Sequence, residues 1–370
     1  TNATLLDLPS KKPLYLENLE NSKIFPQFSD YSEIMLKLLA SPNIASKIWV
    51  YSQYDHEVGI RTVVKPGYDA SVLRLDNGKF LSIKIDGNPK QCYINPREGA
   101  IGCFEEACRN VVCTGAKPIG MLDHLQFGNP KDPEIFWTFL ESLKGLTDFA
   151  KDFEIPCVGG KVSLYNETSD GPIKPTPVIG VIGLIDKKPL KIQKINSGDS
   201  LIMVGDTKDE LGGSEYSEYI HKFIGGKCPA VDFSESKKNM NAVLELIETE
   251  LIKSAHDCSK GGLAVAVSEL CMTNLIGCTV SLDDVPGDKM DADKILFSES
   301  HSRYLVTFER KNLQNLEELL KKHNVSFKTI GGFGGESIRF TDNSKSLIDL
   351  SVDKAQKTWL NSLKEMVMHA

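Results

Sequence analysis

Ser197–Asp206, SGDSLIMVGD, is the stretch that divides this chain of 370 residues into two units. In it, a glycine turn leads into a run of apolar residues, a pattern that predicts a turn followed by a buried strand at the start of a new domain. A chain of this length also exceeds what one ordinary hydrophobic core supports. The sequence therefore predicts two domains that meet near Ser197.

The residues before this stretch alternate between short β-type runs and helices. The clearest helix is predicted over 133–151, where apolar residues recur every three or four positions after Asp132, a residue suited to N-capping. A second helix is predicted from Glu98 to Cys113, because Gly115 follows as a C-terminal stop. The β-type runs are SVLRL from Ser71, FLSIKID from Phe80, PIGMLDHL from Pro118 and PVIGVIGLID from Pro177.

The residues after the dividing stretch also mix the two kinds of element. Helices are predicted over 214–223, 236–253, 262–271 and 312–323, and strands over 278–282, 304–309 and 337–341. Both halves therefore predict α/β or α+β sandwiches. The first residues, interrupted by prolines around a short helix near 31–39, have the composition of a connector. We expect a connector at 1–45, domains at 46–188 and 189–345, and a C-terminal tail at 346–370.

Composition argues against several classes of protein. The formal charge of −7 and the pI near 5.6 do not suit nucleic-acid binding, which normally needs a clustered basic face. No apolar run approaches the ~18 residues of a membrane helix, and the N-terminus has no signal-peptide core. The nine cysteines are an odd number without a CxxC pair, which indicates reduced thiols. We therefore expect a cytoplasmic protein that binds neither nucleic acid nor membrane.

Three of the cysteines lie in one predicted helix. Cys103, Cys108 and Cys113 recur every five residues, so each is rotated by about 140° from the last and the three thiolates cannot converge on one metal ion. We expect them to be small buried side chains.

The loop Val158–Glu167, VGGKVSLYNE, concentrates groups that bind polar ligands. Its two glycines allow backbone N–H groups to approach a ligand, and Lys161 and Ser163 can donate to phosphate or ribose oxygens. A tight turn between a buried strand and a surface loop explains the same residues equally well.

Four other loops combine glycine with polar side chains. Asp86 in KIDGNPKQ can bind a metal ion or ribose, although an Asp-Gly turn is as good an explanation. Asp123 and His124 in LDHLQFGNP follow a predicted strand, and the histidine is either catalytic or, more often in such positions, structural. The glycine pair in DELGGSEYSEYI leads into a helix capped by Ser214, which suits either an anion or ordinary capping.

The fourth loop, HDCSKGGLAVAVSEL from His256, places a lysine before a glycine pair at the start of an apolar helix. The free N–H groups of the helix start and Lys260 together suit a phosphate. The consecutive residues from His256 to Ser259 cannot form a catalytic triad, and the motifs GxSxG, GxGxxG and GxxxxGK[ST] do not occur in the sequence. What remains is a nucleotide or phosphate site assembled from several glycine-hinged loops.

Together these loops resemble a known family. QYDHEVG from Gln53, GAKPIGMLDHLQFGNP from Gly115 and the three loops GGKVSLYNE, TKDELGGSEY and HDCSKGGLAVAVSEL are similar, in order and spacing, to the second half of the synthetase subunit of phosphoribosylformylglycinamidine synthase. The similarity runs from about Ala45 to Gly335. It implies a tandem of two PurM-like domains, like those of aminoimidazole ribonucleotide synthetase: an N-terminal α/β domain that binds nucleotide and a C-terminal α/β sandwich.

The resemblance also implies a reaction. ATP phosphorylates the amide oxygen of formylglycinamide ribonucleotide, and ammonia then displaces phosphate to give the amidine, a step of purine biosynthesis. The implied cofactors are ATP and Mg²⁺. The implied partners are the N-terminal half of the enzyme, which forms a pseudodimer with this half, a glutaminase subunit that supplies ammonia, and a small bridging subunit.

Individual residues follow from the matching motifs. Asp123 and Gly160 correspond to nucleotide contacts, and Ser163 corresponds to a substrate contact. The catalytic histidines of the family belong to the first half, so no catalytic residue is expected here, although His56 lies at the pseudo-repeat position of one of them. We therefore expect this half to be inactive alone and to supply an auxiliary nucleotide site.

Two positions depart from the family pattern. Lys161 replaces an asparagine assigned to magnesium, and Lys260 replaces an aspartate. Since a charged lysine cannot ligate a metal ion but can neutralise phosphate, we predict that both lysines replace magnesium in one shared nucleotide pocket. The metal ligands are then unknown, with Asp86, Asn110 and Asp257 as the remaining candidates.

Two other functions fit the sequence. A stand-alone ATP-dependent kinase or synthetase of the same superfamily would form a homodimer with two working sites. A non-catalytic nucleotide-binding or assembly module would bind its partner half tightly without turnover.

Overall fold

The computed structural model describes residues 8–19, 23–190 and 194–368. They form two units of mixed α/β structure, each built on one large sheet, as the sequence predicts. The helices before and within the first unit are α1 (Tyr15–Leu19), α2 (Ser32–Leu39), α3 (Ile48–Tyr51), α4 (Pro89–Ile94), α5 (Pro96–Cys113) and α6 (Pro133–Asp152). Those of the second unit are α7 (Phe233–Glu248), α8 (Gly262–Asn274), α9 (Ala292–Phe297), α10 (Leu313–Lys322) and α11 (Val352–Met368).

The first sheet has six strands in the order β1-β2-β3-β8-β4-β5. Only the β4–β5 pair is parallel. The four β-type runs of the sequence correspond to β2, β3, β4 and β8. The strands are β1 (Thr62–Val64), β2 (Ser71–Arg74), β3 (Phe80–Asp86), β4 (Lys117–Gln126), β5 (Cys157–Ser163) and β8 (Thr176–Ile185), with β6 (Glu167–Thr168) and β7 (Gly171–Pro172) forming a separate ribbon.

The two helices predicted in the first unit are confirmed, and so are the caps that define their ends. The Asp132 carboxylate accepts the Glu134 N–H at 2.8 Å before α6. Asn95 caps α5 in the same way, and Gly115 follows this helix with a positive φ of 86°. Both caps satisfy N–H groups that have no partner within the helix.

Helix α5 is buried along almost its whole length. It packs on β3 and β8 of the first sheet and on α7 and β10 (Ile252–Asp257) of the second unit. Cys103, Cys108 and Cys113 are buried in it, as expected. Because α5 has no solvent face, its polar side chains must find partners inside the protein.

The second sheet has seven strands in the order β10-β12-β9-β13-β11-β14-β15 and is covered on both faces. Along β9 (Asp199–Val204), Ile202 and Val204 join the core on the α5 and α7 side, whereas Leu201 and Met203 join the core formed with α2, α8 and α11. The other strands are β11 (Cys278–Ser281), β12 (Tyr304–Glu309), β13 (Phe327–Phe333), β14 (Ser337–Asp342) and β15 (Lys345–Ser351).

Three expectations for the second unit are wrong. The predicted tail at 346–370 is, over its described residues 346–368, part of the second unit, because β15 pairs with β14 and Val352 and Ala355 of α11 are buried against the second core. The helix predicted over 236–253 ends at Glu248, and β10 follows it. The helix predicted over 214–223 is a single π-helical turn, Tyr216–Ile220.

The first sheet has one face that no element of its own unit covers. Apolar side chains on it are exposed, although α5 and α6 cover the opposite face. The exposed residues on or beside this face are Ile85, Ile119, Leu122 and Val158. Such a contiguous apolar surface indicates an interaction site. None of the helices in the described part of the chain has the length and hydropathy needed to cross a bilayer.

Candidate functional site

Asp123 on β4 and Gly160 on β5 lie opposite each other at the edge of the first sheet. The Lys161 backbone N–H near the Asp123 carboxylate lowers the pKa of Asp123, but partial burial outweighs it and raises this pKa above its ordinary value. A Cβ atom at position 160 would lie 2.0 Å from Asp123 Oδ1. Glycine is therefore required at this position for the carboxylate to reach the neighbouring strand.

A cavity of about 460 Å³ opens beside Asp123, between the starts of β4 and β5 and the C-terminal half of α6. This size suits a small-molecule ligand, as does a mostly apolar wall with a few polar groups. Its lining includes Met121, Leu143, Leu146, Ala150, Ile155, Asp123 and Lys151.

The remaining predicted residues of this loop lie near the end of β5. Ser163 Oγ is 3.3 Å from the Asn166 side-chain oxygen, and Asn166 Nδ2 donates to the Phe127 carbonyl oxygen at 3.0 Å. Lys161 is exposed, and its amine makes no hydrogen bond or ion pair with the residues that the structure describes. It is therefore free to meet an anion. His124, paired with Lys161 across the two strands, has a buried Nε2 without a described partner.

Lys260 lies in a different environment. Its ammonium contacts Asp86 Oδ1 at 3.2 Å and Glu106 Oε1 at 3.1 Å, and both acids belong to the first unit. Burial, with Glu106 beside it, raises the pKa of Asp86. Burial alone would also raise the pKa of Glu106, but Lys260 and Arg109 outweigh it and lower that pKa. Lys260 thus serves as the counter-ion of two buried carboxyl groups.

The helix start next to Lys260 is also occupied. The buried Glu299 carboxylate accepts the Gly261 N–H at 2.9 Å and the Glu215 N–H at 2.8 Å. A carboxylate of the protein itself thus takes the place at the N-terminus of α8 where the sequence suggested a phosphate.

The third cluster surrounds Asp257 at the end of β10. Its carboxylate accepts from Arg109 at 3.3 Å and from Asn110 Nδ2 at 3.1 Å, and the Asn110 oxygen accepts from Lys84 at 3.0 Å. Asp69, His256 and Asp257 each offer a ligand atom within 4.8 Å of the others. Arg109 and Lys84 already supply positive charge to this cluster, so these side chains do not fit a magnesium ion.

His256 lies between two carboxylates. Its Nδ1 is 2.8 Å from Asp69 Oδ1, and its Nε2 is 3.2 Å from Glu269 Oε2, so both nitrogens carry protons. Burial by itself lowers the pKa of His256, but Asp69 and Glu269 outweigh it and raise the pKa well above its usual value. Burial would raise the pKa of Asp69, but His256 reverses that effect and lowers it. Asp257 and Lys84 are the other charged groups near this pair.

This geometry predicts a pH-dependent contribution to stability. Because the folded pKa of His256 is raised, its stabilisation is complete below about pH 6.5, the pKa of an unpaired histidine, and is lost as the pH rises through the folded value. Near pH 6 the wild-type protein should exceed His256→Gln in free energy of unfolding, because the charged imidazole lies between the carboxylates of Asp69 and Glu269. The difference should decline at alkaline pH.

Urea unfolding at a series of pH values measures this difference. The control is His56→Gln, because His56 is only partly buried and its Nδ1 contacts the Tyr54 carbonyl oxygen instead of a carboxylate. A His256→Gln difference that stays constant from about pH 5 to 10 would contradict the assignment of a charged imidazole.

The structure separates the two lysines that the sequence placed in one pocket. Asp86, which holds Lys260, pairs with Ile179 on β8, and Asp123, opposite Gly160, pairs with the same Ile179. Asp86 and Gly160 are therefore three strands apart, about 14 Å at the usual spacing. The shared pocket is wrong because β8 lies between β3 and β4.

Sequence reasoning found the loops but missed the buried charged side chains of α5, which are Glu105, Glu106 and Arg109. Small residues on every side of this helix, including Gly99, Ala100, Gly102 and Ala107, were the available signal. They indicate close packing all round, which makes any charged residue on the helix a buried one.

Two family models match the chain in tandem. AIR synthase related protein, N-terminal domain, matches residues 67–185, and AIR synthase related protein, C-terminal domain, matches residues 196–341. The phosphoribosylformylglycinamidine synthase subunit PurL of Methanocaldococcus jannaschii is 42% identical over 99% of this chain and 50% of its own length. The PurL of Alkaliphilus metalliredigens is 40% identical over 94% of this chain and 47% of its own. The chain thus spans about half the length of the curated relatives it matches.

Solved structures show the same fold. T. maritima PurL complexed with FGAR matches with a TM-score of 0.73 at 21% identity, over 90% of this chain and 54% of that one. A chain of the HypE–HypF complex matches with a TM-score of 0.58 at 15% identity, over 75% of this chain and 91% of that one. The two matched models and the shared architecture agree on one assignment. This chain belongs to the AIR synthase related family and carries the N-terminal and C-terminal domains of that family in tandem.

Proposed function

We propose that this chain is the C-terminal half of an ATP-dependent synthetase that converts formylglycinamide ribonucleotide and ammonia to the amidine. The observation that carries the proposal is the identity of 42% with a PurL subunit along 99% of this chain. Such a match extends through the loops of the site as well as the core, and the site, rather than the fold, determines chemistry.

In this proposal, Asp123 and Gly160 contact the nucleotide. The mostly apolar cavity beside them can hold a base, and the carboxylate can accept a hydrogen bond from an amino group on it. Lys161 remains exposed to neutralise a phosphate, and Ser163 contacts the ribonucleotide. T. maritima PurL, of the same fold, has been solved with FGAR and with ATP, which supports these two ligands for this chain.

The chemistry needs more than this half provides. An amide oxygen becomes a leaving group only after phosphorylation, and the phosphorylated intermediate must be kept from water until ammonia arrives. By the resemblance, the catalytic histidines lie in the other half. Magnesium, if it takes part, finds no fitting ligand set at Lys161 or Lys260, because charged amines do not bind cations. The proposed partners are therefore the N-terminal half, a glutaminase and a small bridging subunit.

The uncovered face of the first sheet supports a partner half. Ile85, Leu122 and Val158 are exposed there although they are apolar. A second AIR synthase-type sheet would present a similar face, and the two faces together would exclude water. The matched relatives are about twice as long as this chain and therefore hold enough additional sequence for such a second unit.

An assay of the separate halves tests this function. With ATP, ammonia and the ribonucleotide, this chain alone should turn over at least about 10²-fold more slowly than a mixture with the N-terminal half, because general acid–base groups are missing. Comparable turnover by this chain alone would contradict the assignment of the catalytic residues to the other half.

Variants of the sheet face sharpen the assay. Ile85→Glu should reduce the restored activity and weaken co-elution with the N-terminal half. Ile24→Glu, at an exposed apolar position outside the first sheet, should change neither. If both variants reduced activity and co-elution equally, the uncovered sheet face would no longer support binding of the N-terminal half.

A stand-alone synthetase is the second candidate. The tandem of domains makes up 91% of the matching chain in the HypE–HypF complex, so the fold occurs without a covalent second copy. This function predicts a homodimer through the same sheet face, with turnover by this chain alone. Sedimentation of the isolated chain distinguishes the two candidates.

A further inference from the structure

Lys260 is contributed by one unit and bound by the other. It follows β10 of the second unit, and its two partners lie at the end of β3 and in the middle of α5 in the first. Burial by itself lowers the pKa of Lys260, but Asp86, Glu106 and Glu299 outweigh it and raise the pKa well above its usual value. The amine is therefore an ammonium ion at any physiological pH.

Among the described residues, several donors around this ammonium already have carboxylate partners. Glu299 accepts the N–H groups of Gly261 and Glu215, and Lys90 pairs with Glu215 and Glu218. A phosphate entering here would meet three buried carboxylates, Asp86, Glu106 and Glu299, and would displace at least one of them.

The same contacts leave no position for a metal ion. Magnesium requires oxygen ligands at about 2.0–2.1 Å in octahedral arrangement, and it cannot share the two carboxylate oxygens with an ammonium already within hydrogen-bond distance of both. The oxygens themselves are of the type that such an ion prefers. Lys260, which contacts both acids, excludes the ion, and Lys84 adds positive charge beside Asp86 and Glu106.

We propose that Lys260 is a covalently attached substitute for a divalent cation, which joins the two units through Asp86 and Glu106 and makes this loop a closed site that takes neither metal ion nor nucleotide phosphate. The proposal concerns a site two strands away from Asp123 and three strands away from Gly160, and it does not rest on the proposed function. It predicts that removing the lysine converts a closed site into one that binds a divalent cation.

Manganese binding to the full chain, followed by electron paramagnetic resonance without nucleotide, tests the proposal. Wild-type protein should bind no Mn²⁺ that depends on Glu106, and Lys260→Ala should gain about one equivalent, since the two freed carboxylates are hard oxygen ligands. Adding Glu106→Gln to Lys260→Ala should abolish the gain. Two outcomes would contradict the proposal. One is that the wild-type protein binds Mn²⁺ and loses this binding when Glu106 is replaced with glutamine. The other is that Lys260→Ala binds no Mn²⁺.

Thermal unfolding provides a second readout. Lys260→Ala and Lys260→Met should both lower the midpoint by about 3–5 °C, because each leaves two buried carboxylates without their counter-ion. Millimolar Mg²⁺ should restore part of the loss in Lys260→Ala alone, since the methionine side chain fills the space that the ion needs. A Lys260→Met midpoint equal to the wild-type value would overturn the proposed role of the charge, and this variant keeps the packing if Lys260→Ala does not fold.

Discussion

Replacing Gly160 with alanine is expected to weaken ATP binding by about 10-fold to 100-fold. The added Cβ would lie 2.0 Å from Asp123 Oδ1, so the carboxylate must move away from the Lys161 N–H. Loss of the hydrogen bond that the carboxylate is proposed to accept from the base costs about 1.5–3 kcal/mol, and the displaced carboxylate would also narrow the cavity. Calorimetry with a non-hydrolysable ATP analogue, on this chain combined with its N-terminal half, measures the effect.

Gly159→Ala is the matched control. It lies on the same strand, and the nearest atom to its added Cβ is Leu122 Cδ2 at 3.6 Å, an ordinary van der Waals distance. Its affinity for the analogue should therefore stay near the wild-type value. If the two variants bind equally well, Asp123 and Gly160 are not part of the nucleotide site, and the conformation of Asp123 is only structural.

Replacing Arg109 with methionine is expected to destabilise the protein by about 3–5 kcal/mol. The side chain of Arg109 is 1% exposed, pairs with Glu105 on its own helix and contacts Asp257 of the second unit at 3.3 Å. Without the guanidinium group, two buried carboxylates keep their desolvation cost and lose their main counter-ion. The midpoint and slope of urea unfolding, monitored by circular dichroism, measure the change.

An exposed ion pair of the same spacing is the control for Arg109. Lys357 and Asp353 are four residues apart on α11, and both side chains are 70% exposed. Lys357→Met should change the free energy of unfolding by less than about 0.5 kcal/mol, because water screens the pair. Similar losses in the two variants would mean that burial does not determine the contribution of Arg109.

Local sequence patterns identified those elements whose own residues carry the signal. The alternation in β3 and β8 and the helical period and caps of α6 are such signals, and the structure has these elements at the predicted places. Strand β10 was missed because its sequence, IKSAHD, has no apolar alternation. Its polar residues are buried through partners far along the chain: Lys253 pairs with Asp199, and Ser254 with Thr307.

The site was predictable in its loops but not in its arrangement. Glycines beside polar groups mark Asp123, Gly160 and Lys260 in the sequence, because close approach of backbone and ligand needs them. No local sequence pattern indicates the order of the strands within a sheet. Because β8, a late strand of the first unit, lies between β3 and β4, Asp86 is two strands away from Asp123, and the loops that carry Gly160 and Lys260 do not meet in one pocket.

The burial of α5 between the two sheets determines which portion of this protein can exist separately. A cut near Ser197 would divide the chain at its domain boundary, yet it would expose Glu105, Glu106 and Arg109 on one fragment and strip Asp257 and Lys260 of their partners on the other. Each fragment would therefore expose charged groups that are buried and paired in the intact chain. The smallest portion that can be duplicated, fused or exchanged intact is therefore the pair of domains, and a longer member of the family is expected to grow by whole pairs.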